Sequence, residues 1–118
     1  MDPNLNVDIG TPSEGQNHQV IDFNGEFDKA GYTDVKEELN KAIEDFSLKY
    51  LVFNFAKLNF INSEGIGYLM EVHTHLVQRD RKLVIVGLNA HVKDVFNTIG
   101  MSEIIDSHDE LDGFLNSL

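Results

Sequence analysis

Tyr50-Leu51-Val52-Phe53-Asn54-Phe55 runs through Ala56-Lys57-Leu58-Asn59 into Phe60-Ile61-Asn62-Ser63-Glu64-Gly65-Ile66-Gly67, and the fold turns on how this passage is read. Its opening is an almost continuous apolar run of strand formers. Such a run suits a central strand covered on both faces, or one covered by helices on one side and aromatic contacts on the other. Its end reads as a buried strand turning into the start of a helix. Asn62 is placed to cap that helix by accepting from a backbone N–H of the first turn, where Ser63 and Glu64 also fall. Unpaired backbone donors and the positive end of the helix dipole converge there. A hydroxyl on such a turn is well placed to carry a phosphoryl group, because a helix terminus favours added negative charge. A helix start also prefers Asn, Ser and Glu for purely structural reasons, so spacing alone does not separate the two readings. Gly65 and Gly67 add weight to the functional one. Each costs roughly 1 kcal/mol relative to alanine inside a helix, and the expected return is a bare surface that another backbone or a partner can approach.

Outward from this turn, the following helix is expected to set Ile66, Leu69, Met70, His73 and Leu76 or Val77 inward, with Glu71, Thr74 and Gln78 outward. Upstream, Leu5, Val7 and Ile9 alternate within a polar segment, so residues 1–16 read as a weak edge strand and a loop. His18 to Asn24 alternates as a strand and stops at Asn24-Gly25. Val35, Leu39, Ala42, Ile43 and Phe46 then share one helix face, opposite Lys36, Glu37, Asn40, Lys41 and Glu44. Asp28 and Thr33 are both acceptable caps for it, and Gly31 weakens the turn between them.

Beyond Arg79-Asp80-Arg81-Lys82, Leu83 to Val86 is a short buried strand ending at Gly87. Asn89 caps a helix with Val92, Val95, Phe96 and Ile99 inward, and Gly100 ends it in a left-handed conformation. Ile104-Ile105 reads as a brief last strand. Ser107 and Glu110 form a capping box for a final helix packed through Leu111, Phe114, Leu115 and Leu118. This alternation requires parallel pairing with right-handed helical crossovers from the second strand onward, and leaves only the first two strands free to form a hairpin. The expected fold is α/β, with a mixed, mainly parallel sheet of four to five strands and about four helices.

With 118 residues, 42% of them hydrophobic, the chain is expected to form one domain over 1–118 with an adequate core. It has no cysteine, so a disulfide framework, a thiolate metal site and a cysteine nucleophile are excluded. Its formal net charge of −11 repels nucleic-acid phosphates and anionic lipid, so no nucleic-acid partner is expected. No apolar stretch approaches the roughly 18 residues that cross a bilayer, and Met1-Asp2-Pro3-Asn4 does not open a signal peptide. Cytoplasmic residence without membrane insertion is the expectation.

The histidines do not suggest a metal. His73 and His75 are two apart on a helix and point in different directions, while His18, His91 and His108 lie on separate elements. Asp28 and Ser63 each follow a parallel strand and can stand near each other, but no histidine or lysine accompanies them as a general base. Gly65-Ile66-Gly67 lacks the third glycine and the distal acid of a dinucleotide site. Neither a catalytic centre nor a cofactor is expected.

Three passages resemble the STAS domains, and within them the small single-domain anti-sigma-factor antagonists of bacteria. They are Gly25-Glu26-Phe27-Asp28, the run Leu51 to Phe55 leading through Phe60 to Gly67, and Leu83-Val84-Ile85-Val86-Gly87 followed by Val92, Phe96 and Gly100. The likeness covers about Asn17 to the C-terminus. The second passage is the specific one, since the family's usual form there is apolar-apolar-Asp-Ser-Ser/Thr-Gly-apolar-Gly.

The resemblance implies a partner switch. Ser63 falls on the serine that an ATP-dependent anti-sigma factor/serine kinase phosphorylates and a serine phosphatase restores. The unphosphorylated protein binds the kinase, and the phosphorylated one releases it. Asp28, Asn62, Ser63, Glu64, Gly65, Ile66 and Gly67 are the implied partner-binding residues. Two positions depart from the pattern: Asn62 stands where Asp is usual, and Glu64 where a small hydroxyl residue is usual. The alternatives are a non-switching STAS scaffold module of a signalling or transport complex, and a small doubly wound enzyme or phosphate-binding protein with a pocket near Asp28 and Ser63.

Overall fold

A computed structural model describes residues 2–118. The chain runs β1 (Leu5–Ile9), β2 (His18–Phe27), α1 (Lys29–Asp45), β3 (Tyr50–Ile61), α2 (Ser63–Val77), β4 (Lys82–Val86), α3 (Ala90–Ile99), β5 (Asp106–His108) and α4 (Leu111–Asn116). The strands lie in the sheet in chain order. β1 and β2 form the antiparallel hairpin, and every later pair is parallel. The mixed, mainly parallel α/β architecture expected from the alternation of elements is the one observed.

Alternation along the strands separates two faces. Ile21, Phe23, Leu51, Phe53, Leu83 and Ile85 lie under α1, α2 and α3, which bury Val35, Leu39, Ile43, Leu69, Val72, Leu76, Val92 and Phe96 against them. The opposite face carries Val52, Val84 and Val86, covered by Phe114 of α4. Tyr50 meets that phenylalanine edge-on at 5.4 Å between ring centroids. α4 is short, and the outer face of β1 and β2 is left polar, with Asn6, Asp8, Asp22 and Asn24 exposed.

Several element boundaries differ from the expected ones. β2 continues past Asn24-Gly25 to Phe27, and Gly25 is a strand residue with φ 123°, where the backbone of Asn4 leaves no room for a Cβ. β3 likewise continues through Ala56 to Ile61, and register shifts against β2 break the alternation that would have announced it.

The last strand is Asp106–His108 rather than Ile104-Ile105: these two follow a 3-10 turn at Met101–Glu103, Ile105 buried and Ile104 49% exposed. Ser107 therefore belongs to β5, and the N-cap of α4, Glu110, makes no side-chain capping bond. Ile99 and Leu118 point to solvent rather than inward.

α2 is rotated from the expected stripe. It buries Gly65, Tyr68, Leu69, Val72 and Leu76, leaving His73 half-buried and Val77 exposed. Among the described residues, no helix is long and apolar enough to cross a membrane.

Candidate functional site

β2 and β3 end at the same level, with Phe27 paired to Ile61. Asp28 and Asn62 follow, in matching extended conformations of φ −116°, ψ −169° and φ −118°, ψ −169°. Each caps the helix it opens. Asp28, not Thr33, caps α1 and accepts from the Gly31 N–H at 2.8 Å. Asn62 accepts from the N–H groups of Glu64 at 3.0 Å and Gly65 at 3.4 Å. The two turns are joined, because the Asn62 N–H donates to the Phe27 carbonyl at 3.2 Å. β4 completes the row: Asn89 caps α3 by accepting from the Val92 N–H at 2.8 Å, and its Nδ2 donates to the Leu58 carbonyl at 2.6 Å. Three helix N-termini thus open from the C-terminal ends of three adjacent parallel strands, the edge at which α/β sheets carry their sites.

The glycine three residues after each of the first two caps has a packing role. A Cβ on Gly31 would overlap the Glu26 carbonyl, and one on Gly65 would lie 2.7 Å from Ile61 Cγ1 and 2.8 Å from the Phe27 carbonyl. Gly65 is therefore buried against the strand ends, and the bare surface expected of both glycines belongs to Gly67 alone, where a Cβ would meet nothing within 4 Å. Gly31 likewise completes the first turn of α1 rather than weakening it. Docking at Gly65 also sets the rotation of α2, since residues 65, 68, 69, 72 and 76 share one side of a helix.

Around this turn Ser63 and Glu64 are exposed, Asn62 and Asp28 are half-buried, and Ile66 packs partly against the core. Because Asn62 supplies the cap, the Ser63 hydroxyl is left outside it. Near the end of β3, Phe60 is 38% exposed and stacks on His91 of α3 at 5.5 Å, with the rings 12° apart.

Sequence reading missed Tyr32, Tyr68 and Glu71. Together with Ser63, Glu64 and Gly67 they line a cleft of about 250 Å³ between α1 and α2. The two tyrosine rings lie 4.9 Å apart. Burial, then the neighbouring Tyr32 and the charge of Glu71, push the Tyr68 phenol above its ordinary range, and its hydroxyl donates to Asn40 Oδ1 at 2.9 Å. Glu64, Gly67, Tyr68 and Glu71 stand at helical spacing, which was the available signal. Tyr32, from another helix, gave none.

No histidine or lysine lines this cleft. Among the described residues, no three His, Asp or Glu side chains are grouped to hold a metal ion. Another cavity, about 440 Å³, lies on the polar outer face of β1, β2 and β3, where Asn54 Nδ2 donates to Asp22 Oδ1 at 2.9 Å.

The STAS domain family model matches residues 13–113. An anti-sigma-B factor antagonist of Listeria monocytogenes is 28% identical over 105 residues, covering 86% of this chain and 89% of that protein. The fold is similar to that of an anti-sigma factor antagonist from Mycobacterium paratuberculosis, at TM-score 0.81 and 16% identity over 96% of this chain and 92% of the other. It is also similar to the anti-sigma factor antagonist SpoIIAA of Bacillus. The unphosphorylated form aligns at TM-score 0.70 and 18% identity, covering 94% of this chain and 98% of the other. The phosphorylated form aligns at 0.65 and 17%, covering 94% and 100%.

Proposed function

The chain belongs to the STAS domain family, and from that membership we propose that it is an anti-sigma-factor antagonist working as a partner switch. Unphosphorylated, it binds an anti-sigma factor that is also a serine kinase. Once Ser63 carries phosphate, the kinase is released, and a serine phosphatase resets the state. The protein acts by binding rather than catalysis, without a cofactor. The observation that carries this reading is the exposure of Ser63 on the first turn of α2, directly after a cap that does not use its hydroxyl. The name of the Listeria relative supports the role.

The chemistry of the turn suits such a switch. A phosphoryl group adds about −1.5 to −2 charge, and the N-terminus of α2 tolerates that charge without refolding. Release must then come from the interface, where the added charge and bulk act on the bound state alone. Asp28 on the neighbouring turn and Gly67 on the exposed side of α2 belong to the contact surface.

Glu64 favours a second reading, a STAS scaffold module without reversible phosphorylation, because it holds a negative charge beside the hydroxyl that would receive phosphate. Incubation with the anti-sigma kinase and ATP, followed by mass spectrometry of the peptide containing Ser63, separates the two. Phosphate on Ser63, absent in Ser63→Ala, is expected of the switch. An unmodified Ser63 under conditions where the kinase is active would leave the scaffold.

A further inference from the structure

The cleft beside Ser63 is built from two tyrosines and two carboxylates. Glu64, Gly67, Tyr68 and Glu71 follow at i, i+3, i+4 and i+7, so they form one stripe of α2. Tyr32 closes the other side from α1, its ring 4.9 Å from that of Tyr68. The Tyr68 hydroxyl is committed to Asn40, so what this residue presents to the cleft is its ring. Glu64 and Glu71 are exposed, and among the described residues neither takes part in an ion pair. Gly67 keeps the space between them open.

We propose that this cleft seats a basic side chain, arginine or lysine, presented by the protein partner that docks on the Ser63 turn. Aromatic faces attract cations, and a planar guanidinium can stack on a ring while its N–H groups donate to a carboxylate. A neutral side chain of the same shape keeps N–H donors but lacks the charge that strengthens both contacts. A second copy of this chain is a poor occupant, because at a net charge of −11 two copies repel each other.

The proposal deepens, and rests on, the reading of this turn as a partner surface. It also gives Glu64 a task, as one wall of the cation seat. Ser63 lines the same cleft, so the bulk of a phosphoryl group there narrows the approach of the basic side chain to the Tyr32 ring and the two carboxylates.

The test uses the whole chain, labelled with nitrogen-15, titrated with N-acetyl-arginine amide, N-acetyl-lysine amide and the uncharged isostere N-acetyl-citrulline amide. Saturable shifts of the Gly67 and Glu71 amides are expected with the two cations and not with citrulline. Each of Glu64→Gln and Glu71→Gln should weaken binding about threefold, the scale of an exposed ion pair. No saturable shift with either cation, equal shifts with citrulline, or indifference to both glutamine variants would overturn the proposal. The titration uses neither kinase nor phosphate. Its failure would leave the Ser63 switch standing, and a Ser63 that never accepts phosphate would leave the titration unchanged.

Discussion

Asp28 and Asn62 leave neighbouring parallel strands at the same level, share one backbone conformation, and each caps the helix that follows. The Asn62 N–H is bonded to the carbonyl just before Asp28, so the two helix starts form one rigid corner. Ser63 is displayed on that corner rather than on a free loop. A modification there changes the surface without needing to change the fold.

The cap should be separable from the charge. Asn62→Ala removes the acceptor for Glu64 and Gly65 and should cost about 1 kcal/mol in urea unfolding. Asn62→Asp keeps the acceptor and sets a carboxylate at the positive end of the helix, so its stability should fall within a few tenths of a kcal/mol of the native protein, or above it. A cost equal to that of alanine would show that the cap does not hold the turn.

The two glycines of α2 should respond in opposite directions. Gly65→Ala drives a Cβ against Ile61 and the Phe27 carbonyl, and overpacking of that kind costs about 1–3 kcal/mol. Gly67→Ala meets open space and should stabilise the protein by about 0.5–1 kcal/mol through helix propensity. Thermal unfolding of both variants checks the assignment, and a destabilised Gly67→Ala would contradict it.

Tyr68 predicts a pH dependence whose sign is fixed. Burial raises its pKa in the folded state above the unfolded value, so the folded protein holds the proton longer. The associated stability is complete below the unfolded tyrosine pKa of about 10 and is lost as pH rises beyond it. Tyr68→Phe should cost about 0.5–1.5 kcal/mol at neutral pH, through the lost bond to Asn40. That deficit should narrow as pH passes about 10. Chemical unfolding of both proteins from pH 7 to 11 measures it, and a constant deficit would refute the assignment.

Phe114 should be disproportionately important for a residue of a terminal helix. It alone of α4 is fully buried, between Tyr50 and His108 and over Val52, Val84 and Val86. Phe114→Ala should cost about 3–5 kcal/mol, whereas Leu118→Ala, at an exposed position, should be close to neutral.

The order of elements was legible because helix faces and apolar runs are local signals, and Asn62, Asn89 and Gly100 act within a turn of where they stand. Strand ends were not. Gly25 resembles a turn residue but lies within β2, and the register shifts between β2 and β3 break the period of two. Ile104-Ile105 is as apolar as a strand, yet the neighbouring Asp106–His108 pairs with β4, because backbone pairing does not require apolar side chains.

In the site, the cap and the position of Ser63 could be read from the sequence. The burial of Gly65 could not, since it depends on Phe27, which arrives from another strand. The cleft was hidden for the same reason: half of its aromatic wall is Tyr32 of α1.

If phosphate on Ser63 controls partner binding, as proposed, calorimetric titration with the proposed anti-sigma kinase reads the switch as a difference in affinity. Three forms are compared: the native protein, Ser63→Ala, and the native protein carrying phosphate on Ser63. Native and Ser63→Ala should bind alike, and the phosphorylated protein at least about tenfold more weakly, a difference of about 1.4 kcal/mol. Equal affinity of the kinase for all three would contradict the switch.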